Sequence, residues 1–139
     1  KFITGIFIDI DIRRGALTVF DMGHGLCHVY RNHRLHMLKP PVSNPPLGLE
    51  EGLTPRGFIL RLKPKDLLIL HSDGLTEQRN SSGTEYALTR VTKFLEEEGD
   101  VDLEKLNVQI LEDFHQHRRM LPQGDDVTLL LLKWNAVSS

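Results

Sequence analysis

Two acidic motifs in this sequence have the residue types and positions expected of a site for a divalent cation. Asp73-Gly74 follows an apolar run at 67–70 after His71-Ser72, and Asp125-Asp126 directly precedes another apolar run at 127–132. Carboxylate oxygens are the ligands that hard divalent cations prefer. Converging carboxylates repel one another unless a cation or a proton lies between them. An Asp-Gly after a strand or a Gly-Asp before one is, however, more often an ordinary turn.

The two apolar runs are predicted to be strands whose ends position these carboxylates. The run at 67–70 is short and continuous, which is typical of a strand buried on both faces. Gly74 is expected to let the backbone turn sharply beside Asp73. His71, at the end of the buried strand, is expected to pack rather than to act as an acid or base. If both strands lie in one core, Asp73 and Asp125 meet at one rim.

The remaining patterns predict an α+β domain. Alternating and apolar segments predict three hairpins, with strands at 6–12 and 16–21, at 26–30 and 35–38, and at 58–62 and 67–70. A helical period at 87–95 predicts one helix, with Gly99 as its stop. A second helical period at 103–114 predicts another, with Asp100 or Asp102 as its cap. Three hairpins, two helices and a last strand make an α+β domain.

Composition and charge exclude several classes of protein. The 139 residues are enough for one domain with a core, and 17 basic against 19 acidic residues give a net charge of −2. This balance argues against a nucleic-acid-binding protein or one that binds an anionic membrane. No apolar run is long enough to span a bilayer. The single Cys27 excludes an internal disulfide and fits a reducing, cytoplasmic compartment. The sequence begins at Lys1 inside a strand pattern, so it is expected to be cut from something longer.

An ordered set of motifs resembles a known family. The set consists of Phe2-Ile3-Thr4, Gly15-Ala16-Leu17-Thr18, Gly23-His24, Pro46-Leu47-Gly48, the segment 62–70, Ser72-Asp73-Gly74-Leu75-Thr76-Glu77 and Gln123-Gly124-Asp125-Asp126-Val127-Thr128. In this order it resembles the C-terminal half of the metal-dependent PPM (PP2C-like) serine/threonine phosphatase domain. The nearest branch is the bacterial SpoIIE/RsbU type. The resemblance covers residues 1–135 and leaves 136–139 as a tail.

The resemblance implies a fold, a chemistry and site residues. The fold would be an antiparallel β-sandwich with flanking helices, with two Mn²⁺ or Mg²⁺ ions at one end activating a water that attacks phosphorus. Carried over by position, Asp73 and Asp125 are the ligands of one metal. Gly74, Asp126 and His24 are possible supporting residues, Asp126 with a structural role and His24 with a loop hydrogen bond. The implied substrate is a phosphoserine on a STAS-domain protein that antagonises an anti-sigma factor.

The sequence departs from the family at the other metal ligands. The first half of the family domain, which carries the bridging carboxylate, has no counterpart here, so the sandwich is expected to be incomplete at its N-terminal side. Two carboxylates are too few for a hard cation. We therefore expect this chain alone to be inactive or nearly so, and to self-associate through exposed strand edges or to need a second fragment.

Two other functions stay open at this stage. The first is a non-catalytic PP2C-like interaction module in bacterial signalling. The second is an unrelated β-sandwich binding domain, which would require the ordered motifs to be a coincidence.

Overall fold

The computed structural model describes residues 1–97 and 102–135. In chain order the elements are β1 (Gly5–Asp11), β2 (Ala16–Met22), β3 (Cys27–Arg31), β4 (Arg34–Met37), β5 (Phe58–Arg61), β6 (Leu67–His71), α1 (Asp73–Thr76), α2 (Thr89–Glu97), α3 (Leu103–Arg118) and β7 (Leu129–Lys133). Within the described ranges the strands form two antiparallel sheets, ordered β1-β2-β5 and β4-β3-β6-β7. The predicted α+β class and antiparallel sandwich are confirmed.

The two sheets pack face to face over one apolar cluster. Alternation along β2 sends Leu17 and Val19 inward, where they meet Val29 of β3 and Leu68 of β6. The opposite face of the first sheet carries Phe7 and Ile59 with 54% and 69% of their surface exposed. The inner face therefore makes the sandwich core, while the outer face leaves these two apolar side chains exposed.

β6 lies at the centre of the structure and is buried on both faces, as its apolar run predicts. Leu68 faces the first sheet, whereas Leu67 and Ile69 face a second cluster formed with the helices. On the helical side this cluster contains Leu106, Ile110 and Phe114 of α3, spaced as one apolar stripe. A strand with two buried faces is held rigidly, so its end is a fixed platform for a site.

The predicted third hairpin is wrong. β5 pairs with β2 in the first sheet, whereas β6 pairs with β3 in the second. Asp66, only 2% exposed, organises this crossing because its carboxylate accepts from Lys63 N–H (2.7 Å) and from Arg31 Nε (2.8 Å). Arg31 also donates to the carbonyl of Arg61 at 2.9 Å, which joins the two sheets. A four-residue turn looks the same in sequence whether it closes a hairpin or changes sheets.

Helix α3 begins where capping chemistry predicts. The Asp102 side chain accepts from the backbone N–H groups of Glu104 (2.9 Å) and Lys105 (3.3 Å), which confirms it as the cap of α3. Gly99, the predicted stop of α2, and Asp100, the alternative cap of α3, lie outside the described residues. In the part of the chain that the structure describes, no helix has the length and apolarity needed to cross a membrane.

Candidate functional site

The pairing of β6 with β7 brings the two acidic motifs to one end of the second sheet. His71 pairs with Leu129, and the ladder continues one step further because Ser72 N–H donates to the Thr128 carbonyl at 3.0 Å. The Ser72 side chain then bridges back, accepting from Thr128 N–H (2.9 Å) and donating to the carbonyl of Asp126 (3.0 Å). We call residues 72–77 and 123–128 the acidic rim.

Gly74 permits the closest contact in the acidic rim. It lies buried in α1, directly beneath the backbone of Asp125 and Asp126. A Cβ added at Gly74 would overlap the carbonyl oxygen of Asp126 and lie 3.3 Å from the carbonyl carbon of Asp125. The glycine is therefore required by the approach of another backbone segment. The sharp turn expected after the strand is instead the short helix α1.

The two predicted ligands, Asp73 and Asp125, are both exposed at the rim. In each, one carboxylate oxygen accepts from the backbone N–H of the next residue, at 2.9 Å for Asp73 and 2.7 Å for Asp125. Within residues 1–97 and 102–135 the second oxygen of each has no hydrogen-bond partner. Asp126 contributes through its backbone carbonyl, and its carboxylate makes no hydrogen bond to the described residues.

Three histidines, His24, His28 and His71, lie behind the rim at the end of β6. The Nε2 atom of His24 lies 3.0 Å from the carbonyl of His71, and because a carbonyl only accepts, this nitrogen carries the proton. Asp21 holds the His24 loop by accepting from its backbone N–H at 2.7 Å. The His71 ring stacks on His28 with centroids 5.3 Å apart. His24 thus makes the loop hydrogen bond that its position predicts, and His71 packs as expected.

Burial keeps the two stacked histidines neutral. Desolvation, with His71 as a second cause, lowers the pKa of His28 to about 4. Desolvation also lowers the pKa of His71, although its hydrogen bond to the Ser72 carbonyl opposes the shift. At neutral pH the layer behind the acidic rim therefore carries no charge from these two rings.

Gln78 is a positioning residue that the sequence analysis does not single out. Its side chain is 93% buried, and its Oε1 accepts from Gly124 N–H at 3.0 Å while its Nε2 donates to the carbonyls of Arg79 (3.0 Å) and Pro122 (3.4 Å). It ties the start of the second acidic motif to the segment after α1. A glutamine following Thr76-Glu77 looks solvated in sequence, so no local signal marks it.

A cavity of about 450 Å³ opens beside these residues, which we call the rim cavity. It is lined by Gly74, Glu77, Gln78, Arg79, Leu121, Pro122, Gly124 and Asp125. The volume falls in the range of small ligand pockets. Asp125 lies on its wall, so a group held in this cavity reaches one of the two exposed carboxylates.

The donor set of the acidic rim fits part of a divalent-cation shell. Asp73 and Asp125 are hard oxygen ligands, and each has one carboxylate oxygen free of protein hydrogen bonds in the described chain. Yet no group of three or more His, Cys, Asp or Glu side chains is arranged for a metal anywhere in residues 1–97 and 102–135. The rim therefore offers two ligands, and a closed site needs further oxygens.

Solved structures similar to this one are bacterial phosphatase domains. The SiaA-PP2C domain of Pseudomonas aeruginosa superposes with a TM-score of 0.78 at 18% identity, covering 95% of this chain and 52% of that one. The phosphatase domain of SpoIIE from Bacillus subtilis gives 0.69 at 15% identity, covering 98% and 58%. The RsbU and RsbW domains of a Mycobacterium tuberculosis protein give 0.74 at 19% identity, covering 98% and 37%.

These comparisons establish the PP2C-like fold, and this chain spans about half the length of the first two structures. No curated protein matches the sequence. The family model described as Stage II sporulation protein E (SpoIIE) matches residues 1–135, which is nearly the whole chain. The chain therefore belongs to the SpoIIE family.

Proposed function

We propose that this chain is part of a metal-dependent serine/threonine protein phosphatase of the SpoIIE/RsbU type. Family membership supports this reaction, and the observation that carries it is the acidic rim, where β6–β7 pairing brings the two acidic motifs to one end of the second sheet. The substrate would be a phosphoserine on a regulatory partner, a STAS-domain protein that antagonises an anti-sigma factor. The single buried thiol of Cys27 is consistent with a cytoplasmic protein.

Four residues at or next to the acidic rim have separate roles in this proposal. Asp73 and Asp125 would hold a Mn²⁺ or Mg²⁺ ion. When bound, such ions supply positive charge for the phosphate and lower the pKa of water. Ser72 and Gln78 fix the spacing between the two acidic motifs, through the hydrogen bonds to residues 126–128 and to Gly124.

The proposal includes low activity for this chain alone. Two carboxylates are fewer ligands than a hard cation needs, and the rim is open to water. Further oxygens would come from another segment or a second copy. The exposed Phe7 and Ile59 on the outer face of the first sheet support self-association or coverage by a partner segment.

A non-catalytic interaction module remains the second candidate. The observation that favours it is the lack of any three-residue metal group in the described ranges. The two candidates differ in what the rim does with a divalent cation, since an interaction module has no need to bind one there.

Manganese binding to the chain tests the proposed ligands directly. Mn²⁺ is titrated into the ¹⁵N-labelled chain, and paramagnetic broadening is mapped. We expect weak binding that broadens signals of residues 72–77 and 123–128 and is lost in Asp73→Asn and Asp125→Asn. Asp9→Asn removes an exposed carboxylate from β1 and serves as the matched control. Broadening that survives both rim variants would refute the ligand assignment.

Phosphate release separates the two candidate functions. The chain is compared with a longer form of the protein that also carries an N-terminal half of the domain, on a phosphoserine substrate with Mn²⁺. We expect turnover only in the longer form, and loss of that turnover in Asp73→Asn and Asp125→Asn. A longer form that binds the substrate without hydrolysing it would favour the interaction module.

A further inference from the structure

A second cavity, of about 600 Å³, has neither Asp73 nor Asp125 in its lining and is lined only by residues whose side chains can donate hydrogen bonds. We call it the arginine cavity. Its lining residues are Asn80, Ser81, Ser82, Arg90, Gln116, His117 and Arg119. No Asp or Glu belongs to this lining, although the whole chain has 19 acidic residues against 17 basic ones. A surface rich in donors and free of carboxylates is complementary to an anion.

The local hydrogen bonds leave donors available to a ligand. The Oδ1 atom of Asn80 accepts from the backbone N–H groups of Ser82 and Thr84, both at 3.0 Å. This orientation leaves the amide nitrogen of Asn80 available to donate to a ligand. His117 Nε2 donates to the Thr84 carbonyl at 3.0 Å, which fixes the ring against the turn. In the described chain the hydroxyls of Ser81 and Ser82 have no partner.

The two arginines of the cavity differ in their charge balance. Arg90 forms a two-bond ion pair with Asp113, with distances of 2.8 and 2.6 Å, so its charge is offset. Arg119 has no ion pair among the described residues, and its side chain lines the cavity from the end of α3. Its neighbour Arg118 instead donates to the Leu121 carbonyl at 2.8 Å and to His115. Arg119 is therefore the uncompensated cation.

A simpler account of Arg119 is that it offsets the negative end of the α3 dipole. The helix end is, however, already closed by backbone bonds. Arg119 N–H donates to the His115 carbonyl and Leu121 N–H to the Arg118 carbonyl, at 2.9 and 3.0 Å. At φ 51° Arg119 turns the chain out of the helix. If Arg119 only offsets the helix dipole, Arg118 and Arg119 should contribute equally to any anion binding, because both lie at the same helix end. If the cavity binds the anion, the contribution should come from Arg119.

The arginine cavity and the rim cavity are lined by the same two chain segments. In the first segment, residues 77–79 line the rim cavity and residues 80–82 line the arginine cavity. In the second, the arginine cavity is lined by Gln116, His117 and Arg119 but not by Arg118, and the rim cavity by Leu121, Pro122, Gly124 and Asp125. A peptide with its phosphoserine at the rim can therefore continue along these segments.

We propose that the arginine cavity is an anion subsite that binds a carboxylate or phosphate group of the protein substrate, next to the phosphoserine presented to the acidic rim. The reference to a substrate rests on the proposed function. The anion site itself rests on the lining alone. Arg119 provides the charge, and Ser81, Ser82 and Asn80 provide the directional donors.

Inorganic phosphate is the first probe, used without divalent metal and at low ionic strength, with the ¹⁵N-labelled chain. We expect shifts at the amides of Ser81, Ser82 and Arg119, and a dissociation constant raised about tenfold in Arg119→Gln, as for loss of one charged hydrogen bond. Arg118→Gln removes the same charge from the same helix end, and we expect less than about a twofold change. Equal losses in the two variants, or shifts centred on Asp73 and Asp125, would overturn the proposal. Urea midpoints verify that the variants fold.

Peptides then distinguish the source of the anionic group. Three phosphoserine peptides carry two glutamates, a second phosphoserine or two alanines beside the phosphoserine. We expect at least one anionic peptide to bind more tightly than the alanine peptide, and this difference to disappear in Arg119→Gln. The anionic peptide that binds more tightly identifies the group that the cavity prefers. Equal binding of all three would overturn the substrate assignment. Asp73→Asn is expected to leave phosphate binding at the arginine cavity unchanged. The experiment therefore distinguishes an error in the proposed metal ligands from an error in the proposed anion subsite.

Discussion

Replacing Gly74 with alanine should destabilise the acidic rim even though alanine is the better helix former. Gly74 is buried in α1 with an ordinary helical backbone, so Gly74→Ala gains about 0.5–1 kcal/mol from propensity. Against this, the new methyl overlaps the Asp126 carbonyl oxygen and lies 3.0 Å from its carbonyl carbon. Both atoms belong to the backbone, so neither can rotate away.

The cost follows from what must move. Relieving the overlap displaces Asp126, whose carbonyl accepts from Ser72, and with it the two bonds between Ser72 and Thr128. Overpacking costs about 1–3 kcal/mol. Weakening three hydrogen bonds costs about 0.5–1.5 kcal/mol for each. After the propensity gain, we expect a net loss of about 1.5–7 kcal/mol in the free energy of unfolding, with the upper end reached only if all three hydrogen bonds are lost.

Urea denaturation followed by circular dichroism measures this loss, with ¹⁵N spectra locating the displaced segment. Gly124→Ala is the matched control because it lies in the same rim and its nearest contact is 4.0 Å away, at Gln78 Oε1. We expect it to change stability by less than about 0.5 kcal/mol. A Gly74→Ala variant as stable as the parent, with unmoved signals at 125–128, would refute the close-packing argument.

Three further predictions concern the surroundings of the rim. Asp66→Asn weakens the pairing with Arg31 that joins the sheets and should lower the free energy of unfolding in urea by about 1.5–3 kcal/mol, whereas an unchanged midpoint would contradict this role. Gln78→Leu leaves the Gly124 N–H unpaired and should speed its hydrogen exchange, while Gln78→Glu keeps the acceptor and should not. The lowered pKa of His28, about 4 against about 6.5 unfolded, means that the unfolded chain binds more protons between these values. Stability is therefore full above about pH 6.5 and falls as pH drops toward 4. His28→Phe should reduce this fall, and an unchanged fall in the variant would exclude His28 as its source.

The acidic rim is predictable from sequence because its signals are local. One apolar run ends at Leu70, shortly before Asp73, and another starts directly after Asp126. These two runs mark two strand ends without knowledge of the fold. The capping role of Asp102 is equally local. The requirement for glycine at position 74 is not predictable in this way, because it depends on a backbone segment about fifty residues away.

The features that sequence patterns miss all depend on distant contacts. The sheet to which β5 belongs is decided by its pairing with β2, and the turn at 63–66 gives no sign of it. Gln78 looks like a surface residue until the segment at 122–124 folds onto it. The arginine cavity likewise forms only where the turn at 80–82 meets the end of α3.

The hydrogen bonds between Ser72 and the segment 126–128 also determine when the rim can form during folding. They join residues 54 and 56 positions apart, and both helices α2 and α3 lie within the loop that they close. Closing such a loop lowers the conformational entropy of the chain, and this loss opposes the contact until other interactions have brought the two ends close. We therefore expect the rim to form late, after the two helices have packed on β6. An opening of the helical layer then disassembles the rim as well, which makes rim geometry a sensitive reporter of complete folding.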